Sequence, residues 1–202
     1  MKKLTAFFCA AAMTLTMGMT AMALPSVSTT ATEKVTVSAE TAKVIPEGKE
    51  LSVKTADPKN YEVPAVAKAV EALNNLKEGE TVSTETVMKA LGFEDLTKIT
   101  TADNKTVDLT GFEPVTKFAD LMLTDGNSVE FDANGEAISV EATISVEALK
   151  EVEDLANILI MQMDPKTGDV YFIEVTEEDF NGETGELTVK FPCLGPFTIL
   201  EK

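Results

Sequence analysis

Histidine, arginine and tryptophan are all missing from this chain of 202 residues. Without histidine, no imidazole base can activate a serine or cysteine nucleophile, and histidine-ligated zinc, copper or iron sites are excluded. Without arginine, the bidentate clamp for phosphate or carboxylate is missing. By residue type, two catalytic strategies remain: a pair of carboxylates, or a lysine that acts as base or nucleophile.

The first 23 residues have the pattern of a secretory signal peptide. Lys2 and Lys3 precede an uncharged run over 4–24, and small residues occupy the −3 and −1 positions of a cleavage site after Ala23. A retained membrane anchor is the alternative, because the run is about long enough to span a bilayer. Threonines dilute the run and no basic cluster follows it. We therefore predict cleavage after Ala23 and release of a secreted, extracellular protein without further membrane contact.

The predicted mature chain is strongly acidic. Removal of residues 1–23 leaves 179 of the 202 residues, and the loss of Lys2 and Lys3 takes the formal charge from −17 to −19. Such a surface repels nucleic acid and anionic membranes, so we expect neither as a partner, and it favours cations or basic proteins. Cys193 then remains as the sole cysteine, and its apolar neighbours predict a buried, unreactive thiol.

Apolar periodicity predicts two helices in the middle of the chain. Apolar residues at three- and four-residue spacing, with Pro64 at the first helical position, predict a helix over 63–77. A second helix is predicted over 84–91, capped by Ser83 or Thr84. We expect both to pack on the protein's own sheet, with a partner-binding groove as the alternative.

Strand patterns dominate the chain after about residue 106. Apolar and polar residues alternate strictly over 138–146, which is typical of a strand with one buried face. The segment 118–123 fits either a strand or a helix. Further strands, separated by turns with Gly or Asp, are predicted over 157–163, 170–175, 187–191 and 197–200. This spacing predicts an antiparallel sandwich or barrel.

These patterns together predict a mainly β protein, α+β overall, in which a small two-helix subdomain precedes an antiparallel β-sandwich. Residues 1–23 form the signal peptide and 24–60 a flexible spacer with possible short strands. Residues 61–104 form the helical subdomain and 105–202 the sandwich domain.

The C-terminal part also carries a distinctive order of motifs. The alternating strand over 138–146 is followed by Asp154 and an apolar strand, then by a hairpin and a turn at Gly185. The chain closes on Phe-Pro-Cys-Leu-Gly-Pro-Phe at 191–197. In this order, about 127–202 resembles an immunoglobulin-like β-sandwich module of uncharacterised secreted proteins from anaerobic Gram-positive bacteria. The resemblance implies a sandwich without assigned chemistry, and no functional residue is carried over.

The candidate metal ligands lie in one acidic turn. Asp132, Asn134 and Glu136 surround a glycine, but they lack the third donor and the distal glutamate of a regular calcium loop. The acidic turn over 179–183 lacks them too. Both are explained more simply as turn chemistry, because Asn, Asp and Gly tolerate left-handed backbone. We therefore expect no cofactor, with calcium as the alternative.

The missing residue types favour binding over catalysis. Carboxylate pairs are common in a chain with 34 acidic residues, so none of them marks an active site. A glycosidase needs a cleft that grips sugar, and Tyr61 and Tyr171 are the only large polar aromatics present. We predict a secreted, non-enzymatic module that acts by surface recognition, adhesin-like or associated with the cell envelope, with a protein or cell-surface partner. An extracellular ligand- or calcium-binding domain and a carboxylate-dependent hydrolase are the alternatives.

Overall fold

Two antiparallel sheets pack face to face at the centre of the protein, and two helices cover the outer face of the larger sheet. This computed structural model describes residues 35–37, 45, 47–77, 80–124, 139–146, 149–150, 152 and 154–202. The predicted fold class, a mainly β protein with an antiparallel sandwich after a small helical part, is confirmed.

The first half of the described chain contains both helices and several short strands. The helices are α1 (Pro64–Asn74) and α2 (Thr84–Ala90). The strands are β1 (Val35–Val37), β2 (Leu51–Thr55), β3 (Ile99–Thr100), β4 (Thr106–Val107), β5 (Glu113–Pro114) and β6 (Ala119–Leu123). The apolar segment 118–123, which fits a strand or a helix by sequence, therefore contains a strand.

The second half of the described chain is almost entirely β. Its strands are β7 (Val140–Ser145), β8 (Ile158–Met163), β9 (Val170–Glu174), β10 (Phe180–Asn181), β11 (Glu186–Phe191) and β12 (Gly195–Glu201). The strands predicted over 157–163, 170–175 and 187–191 are confirmed. β12 begins two residues before the predicted strand, so Gly195 and Pro196 belong to it.

The two sheets enclose the main apolar core. The smaller sheet has the strand order β1-β7-β11-β10, and the larger one has the order β2-β6-β12-β8-β9, with β5 also paired to β12. The apolar positions of β7 point between the sheets, where Val140 and Ile144 pack with Ile160 and Ile199. Removal of these side chains from water drives the sheets together.

Strands from the predicted spacer take part in both sheets. β1 pairs with β7, and Val35 lies opposite Ile144. β2 pairs with β6, and Val53 lies opposite Leu121. The described parts of 24–60 are therefore joined by strand pairing to the region that the sequence assigns to the sandwich.

A second apolar core lies between the larger sheet and the helices. Val66, Val70 and Leu73 of α1 are fully buried there and belong to one apolar cluster with Leu159 and Met161 of β8. The helices therefore pack on the protein's own sheet, as predicted, and β8 is buried on both faces. Neither helix in the described part of the chain is long and apolar enough to cross a membrane. The predicted signal peptide, 1–23, lies outside the described residues.

α1 begins as predicted and ends earlier than predicted. Pro64 occupies its first turn. At its other end, Nζ of Lys117 donates to the carbonyl oxygens of Asn74, at 3.1 Å, and Leu76, at 2.8 Å. A cation there satisfies carbonyls that the helix leaves free. The helix ends at Asn74, so the predicted end at Lys77 is wrong. Periodicity could not show this end, because Lys117, which binds the carbonyls there, is distant in sequence.

Candidate functional site

A groove of about 1010 Å³ lies where β8 begins and β9 ends. We call it the acidic groove. Four carboxylates line it: Asp108, Asp154, Glu174 and Glu177. Among its described lining residues there is no lysine. Its apolar lining residues are Val107, Phe112, Val152, Leu155, Ala156, Ile158, Leu159, Val175 and Phe180.

Local turns fix two of these carboxylates. Oδ1 of Asp154 accepts the amide of Ala156 at 3.0 Å and begins a short 3₁₀ turn that leads into β8. Oδ1 of Asp108 accepts the amide of Thr110 at 2.8 Å, after the end of β4. Hydrogen bonds from the side chain and the backbone of Thr110 lower the pKa of Asp108. Asp108 is therefore an anion at neutral pH.

A second groove, of about 520 Å³, runs along β9, and we call it the edge groove. Tyr171, Phe172, Ile173 and Glu174 form its floor. Its walls come from the β3–β4 hairpin on one side and from β11 and the residue after it on the other: Asp103, Lys105, Val107, Lys190 and Pro192. The edge groove and the acidic groove share Val107, Leu159, Glu174 and Thr176, so the two form one continuous surface.

A buried carboxyl group lies apart from both grooves. Asp120 of β6 is 1% exposed, and its Oδ2 accepts a hydrogen bond of 2.9 Å from the hydroxyl of Tyr61. Its Oδ1 has no hydrogen-bond partner among the described residues. Burial raises the pKa of Asp120 to about 6, and the hydrogen bond from Tyr61 opposes this shift. The sequence analysis did not single out Asp120, although it is the single acid within the apolar segment 118–123 and this position predicts a buried carboxyl group.

The residues predicted as calcium ligands lie in one of the two acidic turns predicted from the sequence. Asp132, Asn134 and Glu136 lie outside the described residues, so calcium binding stays a prediction. The other acidic turn is described, and it is a turn of the expected kind. Oδ1 of Asn181 accepts the amides of Glu183, at 3.1 Å, and Thr184, at 3.2 Å.

The prediction of a buried thiol at Cys193 is confirmed. The residue is 1% exposed, and burial raises the pKa of its thiol to about 12. Nε2 of Gln162 donates to its carbonyl oxygen at 2.7 Å. A thiol in this state is a poor nucleophile, because the thiolate is the reactive form.

No known protein family, curated protein or solved structure matches this chain. The sandwich architecture therefore stands on the strand pairing alone. The immunoglobulin-like character expected for about 127–202 stays a prediction.

Proposed function

We propose that this protein is a secreted, non-enzymatic recognition module that binds a cationic segment of a partner protein in the acidic groove. Its role would be adhesin-like or associated with the cell envelope. One observation carries the proposal: four carboxylates and nine apolar residues line the groove, and no lysine is among its described lining residues. Nζ of Lys202 lies 5.7 Å from the ring centroid of the lining residue Phe112 and shows that a cation is accommodated beside this surface. A long cationic side chain can lay its apolar stem on such a surface and place its charge against the carboxylates.

The charge of the whole chain supports a basic partner. A formal charge of −17 produces a field that attracts cations over a distance and repels polyanions. Charge complementarity of this kind raises the association rate and selects among partners more than it raises affinity. We therefore expect binding to depend steeply on salt concentration, because exposed charges are screened by ions.

The ionisation of the carboxyl groups supports recognition over acid–base catalysis. A general acid needs a carboxyl group with a raised pKa within reach of the substrate. In the described part of the chain, Asp120 has a raised pKa, but it is buried beneath the helical part and lines neither groove. Asp108 in the acidic groove has a lowered pKa, which suits a fixed anion.

The proposal can be tested with a lysine-rich peptide and a matched peptide in which glutamate replaces every lysine. We expect the lysine peptide to bind in fluorescence anisotropy measurements, with affinity that falls as salt rises, and the glutamate peptide not to bind. The double variant Asp108→Asn, Glu177→Gln keeps the side-chain shapes but removes two charges from the groove. We expect it to weaken binding by roughly tenfold.

The matched control is the double variant Glu71→Gln, Glu94→Gln. Both residues are exposed and line neither groove. The control neutralises two carboxylates, as the groove variant does, so the two proteins have the same net charge. Equal losses of affinity in the two double variants would show that the peptide is attracted by the protein's overall charge. That result would overturn the assignment of the acidic groove as the binding site. Turnover of glycan, ester or peptide substrates by the purified protein would overturn the non-enzymatic role.

A further inference from the structure

β9 is an edge strand of the larger sheet. β8 pairs with one side of it, and the edge groove lies along it. In an antiparallel pair, alternate residues direct both their amide and their carbonyl toward the neighbouring strand, and the others direct theirs away. The direction that each β9 residue faces therefore decides which backbone groups are open.

Two hydrogen bonds fix these directions. The amide of Asp164 donates to the carbonyl of Asp169 at 2.8 Å across the β8–β9 turn, so Asp169 faces β8. The carbonyl of Val170 accepts the amide of Ala102, in the β3–β4 turn, at 3.2 Å, so Val170 faces away from β8. By alternation, the backbones of Phe172 and Glu174 also face away from β8.

The β3–β4 hairpin covers only the first of these outward positions. β3 pairs with β4, and neither strand pairs with β9. Within the described ranges, no strand lies beside Phe172 and Glu174 on their outward side. A strand edge with open donors and acceptors is a template for another strand.

β9 also lacks the features with which proteins usually block an edge. Proline, lysine and very short length are the common ones. β9 has five residues, Val-Tyr-Phe-Ile-Glu, with no proline and no lysine. At the other end of the sheet, β2 carries the exposed Lys54, and β1 lies close beside it. In the smaller sheet, the edge strand β10 has only two residues.

The floor of the edge groove suits an extended chain, and the carboxylates that would bind its cationic side chains line the acidic groove beyond it. Tyr171 and Ile173 are half-buried and offer apolar contact on the floor. Of the two wall lysines, Lys105 is paired with Asp103 at 3.0 Å, whereas Lys190 adds a positive charge on the β11 side, so cationic side chains are selected in the acidic groove and not here. A strand that passes Glu174 then enters the acidic groove, which is lined by the further carboxylates Asp108, Asp154 and Glu177.

We propose that the outward edge of β9 receives an extended, lysine-bearing segment of the partner as an added strand, whose end continues into the acidic groove. This inference rests on the proposed function and specifies how the segment is held. Backbone hydrogen bonds to Phe172 and Glu174 hold any extended chain, and the carboxylates select chains with cationic side chains.

The test uses a synthetic peptide of alternating lysine and valine, roughly seven residues long. Two modified forms carry backbone N-methyl groups, one at every lysine and the other at every valine. Because only alternate amides of an added strand face β9, we expect one form to lose roughly tenfold or more in affinity and the other to bind like the parent. We also expect the peptide to slow hydrogen exchange at the amides of Phe172 and Glu174.

A protein variant tests the same edge. Glu174→Pro removes an outward amide and leaves the pairing with β8 intact, because that amide faces away from β8. The matched control Glu174→Gln removes the same charge and keeps the amide. We expect Glu174→Pro to bind roughly tenfold more weakly than Glu174→Gln. If Glu174→Pro fails to fold, the two N-methylated peptides decide the question on the unaltered protein.

The outcomes separate this inference from the proposed function. If the parent peptide and both methylated forms bind equally, strand addition is overturned while the acidic recognition groove stands. If no lysine peptide binds, the proposed function fails and this inference fails with it. If the protein forms dimers that Glu174→Pro abolishes, and binds no peptide, a second copy occupies the edge and the inference is overturned.

Discussion

The hydroxyl of Tyr61 donates a hydrogen bond of 2.9 Å to Oδ2 of Asp120, and both residues are buried where the chain before α1 meets the larger sheet. Oδ1 of Asp120 has no partner among the described residues, so an ionised carboxylate is poorly solvated there. Burial, followed by the charge of Asp120, raises the pKa of Tyr61. Tyr61 therefore stays a hydrogen-bond donor across the ordinary pH range.

We predict that Asp120 makes the protein less stable as pH rises toward neutrality. The pKa of Asp120 is about 6 in the folded protein, above its ordinary value of 3.8, so the folded state holds the proton more tightly. The stabilisation is fully present below pH 3.8 and is lost as pH rises through about 6. The shift corresponds to roughly 3 kcal/mol in the free energy of unfolding.

Denaturant unfolding of the wild type and of Asp120→Asn, between about pH 4 and pH 7, measures this effect. The difference between the two free energies should shift by roughly 2 kcal/mol against the wild type over this range, because part of the full effect falls below pH 4. Asp108→Asn is the matched control. Asp108 has a lowered pKa, so its contribution is lost only as pH falls through that lowered value. A wild-type minus Asp120→Asn difference that does not change with pH would contradict the prediction.

We predict a large loss of stability when Asn74 is replaced by alanine. Its Nδ2 donates to the carbonyls of Ala56, at 2.8 Å, and Phe118, at 2.9 Å, and its Oδ1 accepts the amide of Phe118 at 2.7 Å. The side chain thus ties the end of α1 to the chain on either side of the β2–β6 pair. Asn74→Ala leaves the amide of Phe118 without this acceptor, and we expect a loss of roughly 2–4 kcal/mol.

Asn75→Ala is the control for Asn74→Ala, because it removes the same side chain one residue later at an exposed position. We expect a change within roughly 0.5 kcal/mol. Unfolding in urea, followed by circular dichroism, compares the two variants. Equal losses would contradict a role for the contacts of Asn74 with Ala56 and Phe118, since alanine is the better helix former and the substitution does not lower helix propensity.

Local patterns predicted those elements whose signals are local. In α2, Oγ of Ser83 accepts the amide of Thr86 at 3.3 Å, as an N-terminal cap should. In β7, the alternation of apolar and polar residues matches the buried face that the structure shows. Each of these features depends on residues within a few positions of one another, so the local sequence pattern was enough to predict it.

The candidate site could not be predicted because it is made of residues far apart in the chain. The pairing of β8 with β9 brings Asp154, which precedes β8, close to Glu174, which ends β9. Asp108 follows β4, which pairs with β3, and it reaches the groove through the packing of that hairpin against the sheet. The open edge of β9 likewise depends on strand order, which periodicity does not reveal. The buried Asp120, which lies outside the grooves, could have been predicted, because an acid inside an apolar run is visible in the sequence.

We predict that Gly195→Ala destabilises the protein by roughly 3 kcal/mol or more. Gly195 has φ 152°, and a Cβ there would lie 2.6 Å from the carbonyl oxygen of Met163 and 2.7 Å from Cδ of Pro165. Both neighbours are held by the backbone of the β8–β9 turn, so neither can yield as a flexible side chain would.

Gly92→Ala is the control: Gly92 also has a positive φ, 92°, but nothing lies within 4 Å of its Cβ position. Equal losses of unfolding free energy would contradict the close contact at Gly195.

We predict that Cys193 reacts with alkylating reagents essentially only when the protein opens. Burial, and then the charges of Asp164 and Asp169, raise the pKa of its thiol from 9.0 to about 12. At neutral pH this lowers the thiolate fraction by about a thousandfold, and the thiolate is the form that reacts.

In the chain that begins at residue 24, Cys193 is the sole cysteine, so the rate of iodoacetamide labelling reports on it alone. We expect the native rate to be slower than the rate in denaturant by at least this factor, and to follow the free energy of opening as denaturant is added. A Glu94→Cys, Cys193→Ala variant places the thiol at an exposed position and should label at similar rates in both conditions. Equal native and denatured rates at Cys193 itself would contradict its burial.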